Sequence, residues 1–149
     1  MQYQSDRRAK PSTYTPAFVH YVVVFSPALS RQHAAEDPAR VTDQILVYTG
    51  RESAVPRAQM IRQVALANAL IAFATEMHGS QSSTRRISAG SSMRRLLLVE
   101  VERDVWLHAC IMLAHVNAGG RATSAQWLSD EWIHQRMSDA WDLWRVRIC

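Results

Sequence analysis

The chain has 149 residues, 48% of them hydrophobic, and its 17 basic and 13 acidic side chains give a net charge of +4. That length and apolar share suit one domain with a sizeable core, and no run approaches the roughly 20 apolar residues that a membrane-crossing helix needs. Two cysteines, Cys110 and Cys149, are too few for a disulfide framework, and neither sits in a Cys-x-x-Cys pair.

Residues 1–17 are polar, contain Pro11 and Pro16, and lack the apolar core of a signal peptide, so they read as a flexible lead-in. Residues 18–25, Phe-Val-His-Tyr-Val-Val-Val-Phe, are β-branched and aromatic with little alternation, which predicts a central strand covered on both faces. Ser26-Pro27 stops it. Residues 28–42 read as a loop with a turn at Asp37-Pro38, and 43–48 as a second strand ended by Thr49-Gly50.

Pro56 and Gly79 bracket a helix over 56–78. Met60, Val64, Ala67, Leu70, Ile71, Ala74 and Met77, widened by Leu66 and Phe73, form a broad apolar stripe at helical spacing. The opposite arc carries Arg62, Ala65, Ala69, Ala72 and Glu76. A solvent face is normally rich in Lys, Glu and Gln, whereas small side chains let a second backbone approach closely. These five residues are therefore the candidate partner interface, with one face of the helix on a sheet and the other against a second protein. Alanine also simply favours helices.

Residues 79–92 have the Ser-, Gly- and Arg-rich composition of a flexible loop, in which a strand could be hidden. Strands follow at 93–101 and 105–116, joined through Glu102-Arg103-Asp104 as a hairpin. Asn117 to Gly120 breaks the chain again. Thr123 and Gln126 fit a capping box, after which Met137, Ala140, Trp141, Trp144 and Ile148 recur at helical spacing. The pattern runs to Cys149 without a stop signal, which points to a piece of a longer protein. Residues 18–149 thus read as one α/β domain, with the first helix on one side of a mixed or antiparallel sheet and the terminal helix on the other.

Candidate chemistry is sparse. His108, Cys110 and His115 have metal-ligand chemistry, but on one strand the first two share a face and His115 points the other way. Gly119-Gly120 lacks the Lys-Ser/Thr of a phosphate loop, and no Gly-x-Ser-x-Gly elbow occurs. Glu100, Glu102 and Asp104 sit at a hairpin tip, the ordinary place for exposed charge. Basic residues gather at Arg7, Arg8 and Lys10, at Arg85 and Arg86, and at Arg94 and Arg95. They are not interleaved with aromatics on one ordered face, which argues against nucleic acid. Solvated loops explain them, with an anionic membrane surface as the other reading. No catalytic group, cofactor or metal is assigned.

Four stretches carry a family resemblance. They are Val22-Val-Val-Phe-Ser-Pro27, Gln44-Ile-Leu-Val-Tyr48, Arg62-Gln-Val-Ala-Leu-Ala-Asn-Ala-Leu-Ile-Ala-Phe73 and Glu100-Val-Glu-Arg-Asp-Val-Trp-Leu107. In that order and spacing the chain resembles the first longin domain of the Ccz/Inturned/Hermansky–Pudlak subunit family, over roughly residues 18–116. Trp106 matches the family's hallmark tryptophan. Ala65 replaces its glycine, Asn68 its glutamate, and Gly50 and Val101 stand where it has prolines.

The resemblance implies a five-stranded, mostly antiparallel sheet flanked by helices. It also implies pairing with the Mon longin-domain subunit and, by that heterodimer, guanine-nucleotide exchange on a late-endosomal or vacuolar Rab GTPase. Such a protein is cytoplasmic and peripheral on the late endosome or vacuole membrane. Two further readings stand beside it. One is a longin-type trafficking scaffold or adaptor without exchange activity. The other is a ligand-binding or enzymatic α/β domain, which would need a pocket with convergent polar groups.

Overall fold

The computed structural model describes residues 12–31, 38–78, 85–118, 121–124 and 129–148. Its frame is a five-stranded antiparallel sheet. The strands are β2 (Phe18–Phe25), β3 (Ile45–Gly50), β4 (Arg86–Gly90), β5 (Arg94–Glu102) and β6 (Val105–Met112), in the order β3-β2-β6-β5-β4. A short helix α1 (Ala28–Arg31) and a 3-10 helix (Pro38–Gln44) lie in the link between β2 and β3; residues 32–37, with Asp37 of the expected turn, lie outside the described residues. Helix α2 (Arg57–His78) packs on one sheet face and α3 (Asp130–Ile148) on the other. This is the α+β, longin-like arrangement expected from the sequence.

Strand alternation sends side chains to two separate cores. On the α2 side, Tyr21, Val23, Phe25, Leu98, Trp106 and Cys110 meet Val64, Ala67 and Ala74 of the helix. On the α3 side, Val24, Leu97, Val99, Leu107, Ala109 and Ile111 meet Ile133, Met137 and Trp141. β2 and β6 run through the middle of the sheet, and their pairing in register from Val24↔Leu107 to Phe25↔Trp106 fixes both cores at once. The second half of β2, Tyr21–Phe25, is continuously apolar because both of its faces are covered.

Several boundaries and elements differ from the expectation. The 79–92 stretch contains an ordered strand, β4, whose residues Arg86–Gly90 pair with Val99–Arg95. It is an edge strand of the sheet, and Ile87 is its one buried residue, so its composition resembles that of a loop. Residues 79–84 lie outside the described residues. The strand expected over 105–116 ends at Met112, where Leu113 donates its N–H to the Met93 carbonyl at 2.8 Å. The chain then enters a second, three-stranded sheet in which β1 (Thr13–Thr15), β7 (His115–Ala118) and β8 (Arg121–Ser124) pair in the order β1-β7-β8. Thr13–Thr15 is therefore a strand, not part of a flexible lead-in. Thr123 lies in β8 and does not cap a helix, and Gln126 lies outside the described residues. Ser129 begins α3 instead, its Oγ accepting from the Trp132 N–H at 3.1 Å, with Asp130 and Glu131 in the first turn.

Candidate functional site

All five candidate interface residues, Arg62, Ala65, Ala69, Ala72 and Glu76, lie on the exposed arc of α2. Three residues assigned from sequence to the buried stripe lie on that arc as well. Leu66 is 44% exposed, Phe73 63% and Met77 68%. The helix turns about 100° per residue, so Leu66 and Phe73 fall beside Arg62 and Ala69 and away from Val64 and Ala67. The apolar stripe in the sequence is wider than one sheet face can cover. The outer face of α2 is thus apolar in its own right, with an alanine flank at Ala65 and Ala72 and a bulky flank at Leu66 and Phe73. No charged residue lies between Arg62 and Glu76.

Among the described residues, grooves border this helix on more than one side. One, of about 450 Å³, lies beside its N-terminal half and is lined by His20, Arg62, Gln63, Arg94 and Leu96. Another, of about 550 Å³, flanks the C-terminal half and holds Ser30, Gln44, Asn68, Glu76, Asp104 and Trp106. The third, of about 380 Å³, runs between the helix and the edge strand β4, where Phe73 and Met77 face Ile87 and Ala89. The first groove is basic and the second acidic, so the helix carries opposite charge at its two ends.

Polar contacts hold the helix at a fixed angle on the sheet. Asn68 Nδ2 donates to Gln44 Oε1 at 2.8 Å, and Gln44 Nε2 donates to Ser30 Oγ at 2.7 Å. The Tyr48 hydroxyl donates to Gln63 Oε1 at 2.9 Å. These bonds tie α2 to β3 and to the 3-10 helix, so its outer face is presented by a rigid base.

Beneath the helix lies a buried polar pair. His108 is fully buried on the α2 side of β6. Its Nδ1 lies 3.3 Å from the Leu97 carbonyl, which can only accept, so Nδ1 carries the proton. Nε2 then accepts from the Tyr21 hydroxyl at 2.9 Å. Burial lowers the His108 pKa to about 4, against a smaller upward pull from the Leu97 carbonyl. Burial likewise pushes the Tyr21 phenol and the Cys110 thiol up, with the Arg94 charge pulling both back. Neutral imidazole and neutral phenol form a satisfied core contact.

The other chemistry-bearing residues disperse. Cys110 is 1% exposed and His108 0%, whereas His115 starts β7 beyond the Leu113–Ala114 break. Among the described residues no three His, Cys, Asp or Glu side chains gather where they could hold a metal. Glu100 accepts from the Asp104 N–H at 3.2 Å, and Glu102 accepts from Trp141 Nε1 at 3.3 Å and lies 3.6 Å from Arg145. These contacts brace the β5–β6 hairpin, where Asp104 has a φ of 59°, and tie it to α3. Trp106 is buried at 6%. Trp141 is buried, but Trp144 is 45% exposed and Ala140 exposed, so the terminal helix covers less sheet than its pattern suggested. An apolar groove of about 350 Å³ lies between the first half of α3 and β2, with Val19, Ile111, Trp132 and Met137 in its wall.

No protein-family model and no curated protein matches the chain. Among the described residues no helix is long and apolar enough to cross a membrane.

Proposed function

We propose that this chain is a non-enzymatic subunit of a heterodimeric guanine-nucleotide exchange factor for a late-endosomal or vacuolar Rab GTPase. It pairs with a Mon-type longin subunit through the outer face of α2 and works in the cytoplasm, peripherally on the membrane of that compartment. The observation that carries this reading is the exposed apolar face of α2, raised on a longin-like sheet. A helix apolar all round is normally covered on both sides, and a contiguous exposed apolar patch marks an interaction surface. The four stretches of sequence that resemble the Ccz/Inturned/Hermansky–Pudlak subunit family support the same reading, because first longin domains of that family pair with a second longin domain.

Exchange requires no bond-making group in the exchange factor. The factor binds the GTPase better in the state that holds nucleotide weakly, and the population shifts by that difference in affinity. Arg62, Ala65, Ala69, Ala72 and Glu76 are then contact residues for the partner subunit. Release of fluorescent GDP from a panel of Rab GTPases tests the proposal, with the chain alone and with the Mon-type subunit. Acceleration from the late-endosomal Rab only with both chains is the expected result. A stable heterodimer that accelerates none of them refutes exchange and leaves a trafficking scaffold. Co-purification tests the placement of the contact. Ala69→Arg should abolish pairing while the domain stays folded, and retained pairing at normal yield would move the interface elsewhere.

A further inference from the structure

Ala69 is the midpoint of an ordered pattern on the outer face of α2. Arg62 lies seven residues before it and Glu76 seven residues after it. At 1.5 Å of rise per residue the two opposite charges are about 21 Å apart along the axis, too far to pair with each other. Among the described residues neither forms an ion pair. Their order also runs against the helix dipole, with the base in the N-terminal half and the acid in the last turn. Stabilisation of their own helix does not account for them.

We propose that this face is self-complementary and docks a second copy of the chain, the two α2 helices lying antiparallel about a two-fold axis through Ala69. An isologous contact sets each residue of one copy against its symmetry counterpart in the other. Arg62 of each copy then meets Glu76 of the other, and both charges move to the favourable end of the opposing helix dipole. On the bulky flank, Leu66 meets Phe73 of the second copy. On the small flank, Ala65 meets Ala72 of the second copy, and Ala69 meets Ala69 at the centre, so the backbones approach closely. Parallel packing would set Arg62 against Arg62 and Glu76 against Glu76, which the charges disfavour.

The inference rests on the reading of this face as a pairing surface. A second copy and a longin partner compete for the same residues, so the homodimer is the state that the partner must displace.

Sedimentation equilibrium of the full chain from micromolar to near-millimolar concentration tests the inference. The expected result is a reversible monomer–dimer equilibrium. Arg62→Glu places two like-charge pairs in each dimer and should weaken it about tenfold, and Glu76→Arg should do the same. The double variant Arg62→Glu/Glu76→Arg restores both pairs with reversed sign and should return to within about threefold of the parent. Both side chains are exposed, and circular dichroism of each variant should match the parent. A monomer at every concentration, or a dimer indifferent to the single swaps, overturns the inference. A chain that stays monomeric yet forms the exchange-active pair overturns the homodimer alone. A swap-sensitive dimer with no exchange on any Rab supports the homodimer and overturns the proposed function.

Discussion

The buried His108–Tyr21 pair makes stability depend on pH in a window that can be worked out. The unfolded chain protonates His108 below pH 6.5, whereas the folded chain holds it neutral down to about pH 4. The folded-state pKa is depressed, so the contribution is whole above pH 6.5 and is lost as pH falls toward 4. A gap of about 2.5 pH units at 1.36 kcal/mol each amounts to about 3 kcal/mol, with about 2 kcal/mol of it gone by pH 5. Other groups titrate in the same range, so the comparison needs a variant that lacks only this pair. Tyr21→Phe/His108→Phe removes both partners together and leaves no orphaned hydroxyl. Urea unfolding at pH 7, 6, 5 and 4 should show the parent losing about 3 kcal/mol more than the double variant. The single variant His108→Phe strands the Tyr21 hydroxyl in the core and should cost about 1–3 kcal/mol already at pH 7. Parallel loss of stability in parent and double variant between pH 6.5 and 4 would refute the reasoning.

Other outcomes follow from packing. Trp141→Ala removes a buried ring from the α3 core and its bond to Glu102, and should cost about 3–5 kcal/mol in chemical denaturation. Gly90→Ala would bring a Cβ to 2.7 Å from the Arg94 carbonyl oxygen, so the β4–β5 turn must shift, and the melting temperature should fall. Ser129→Ala removes the cap of α3 and should cost about 1 kcal/mol by the same measurement. Phe73→Ser, at an exposed position, should leave stability within about 0.5 kcal/mol of the parent and reduce pairing in co-purification.

The sequence made the central frame legible because its signals were strong there. Strand β2 coincides with the apolar run at 18–25, and α2 begins one residue after Pro56. What was hidden had weak or shared signals. Strand β4 alternates Arg86, Ile87, Ser88, Ala89 and Gly90, and an edge strand with one solvated side needs no more than that. The strands of the small β1-β7-β8 sheet are short and largely polar; β7 and β8 form a local hairpin, but β1 joins them across about a hundred positions, beyond any local periodicity. At the candidate site the five outer residues were legible from helical spacing. Leu66, Phe73 and Met77 were not separated from the core because hydrophobicity alone does not say which apolar side a sheet will cover.

That ambiguity is itself informative about the partner. A helix with one apolar side and one polar side needs only its own sheet. α2 has two apolar sides, and charge stands only at Arg62 and Glu76 on the outer one. Two perturbations therefore separate what covers it. Ala69→Arg inserts a long charged chain at the centre and should expel any occupant, whether a second copy or a longin partner. Arg62→Glu leaves the apolar centre intact and changes only the charge register. It should weaken an occupant that presents an acid opposite Arg62, as a second copy does through Glu76, and spare one that presents none. If Ala69→Arg abolishes heterodimer formation while Arg62→Glu leaves it unchanged, the longin partner reads the apolar centre, and the charges at the ends serve the contact between copies. If both abolish it, the partner repeats the charge order of α2 and occupies the face in the same antiparallel register.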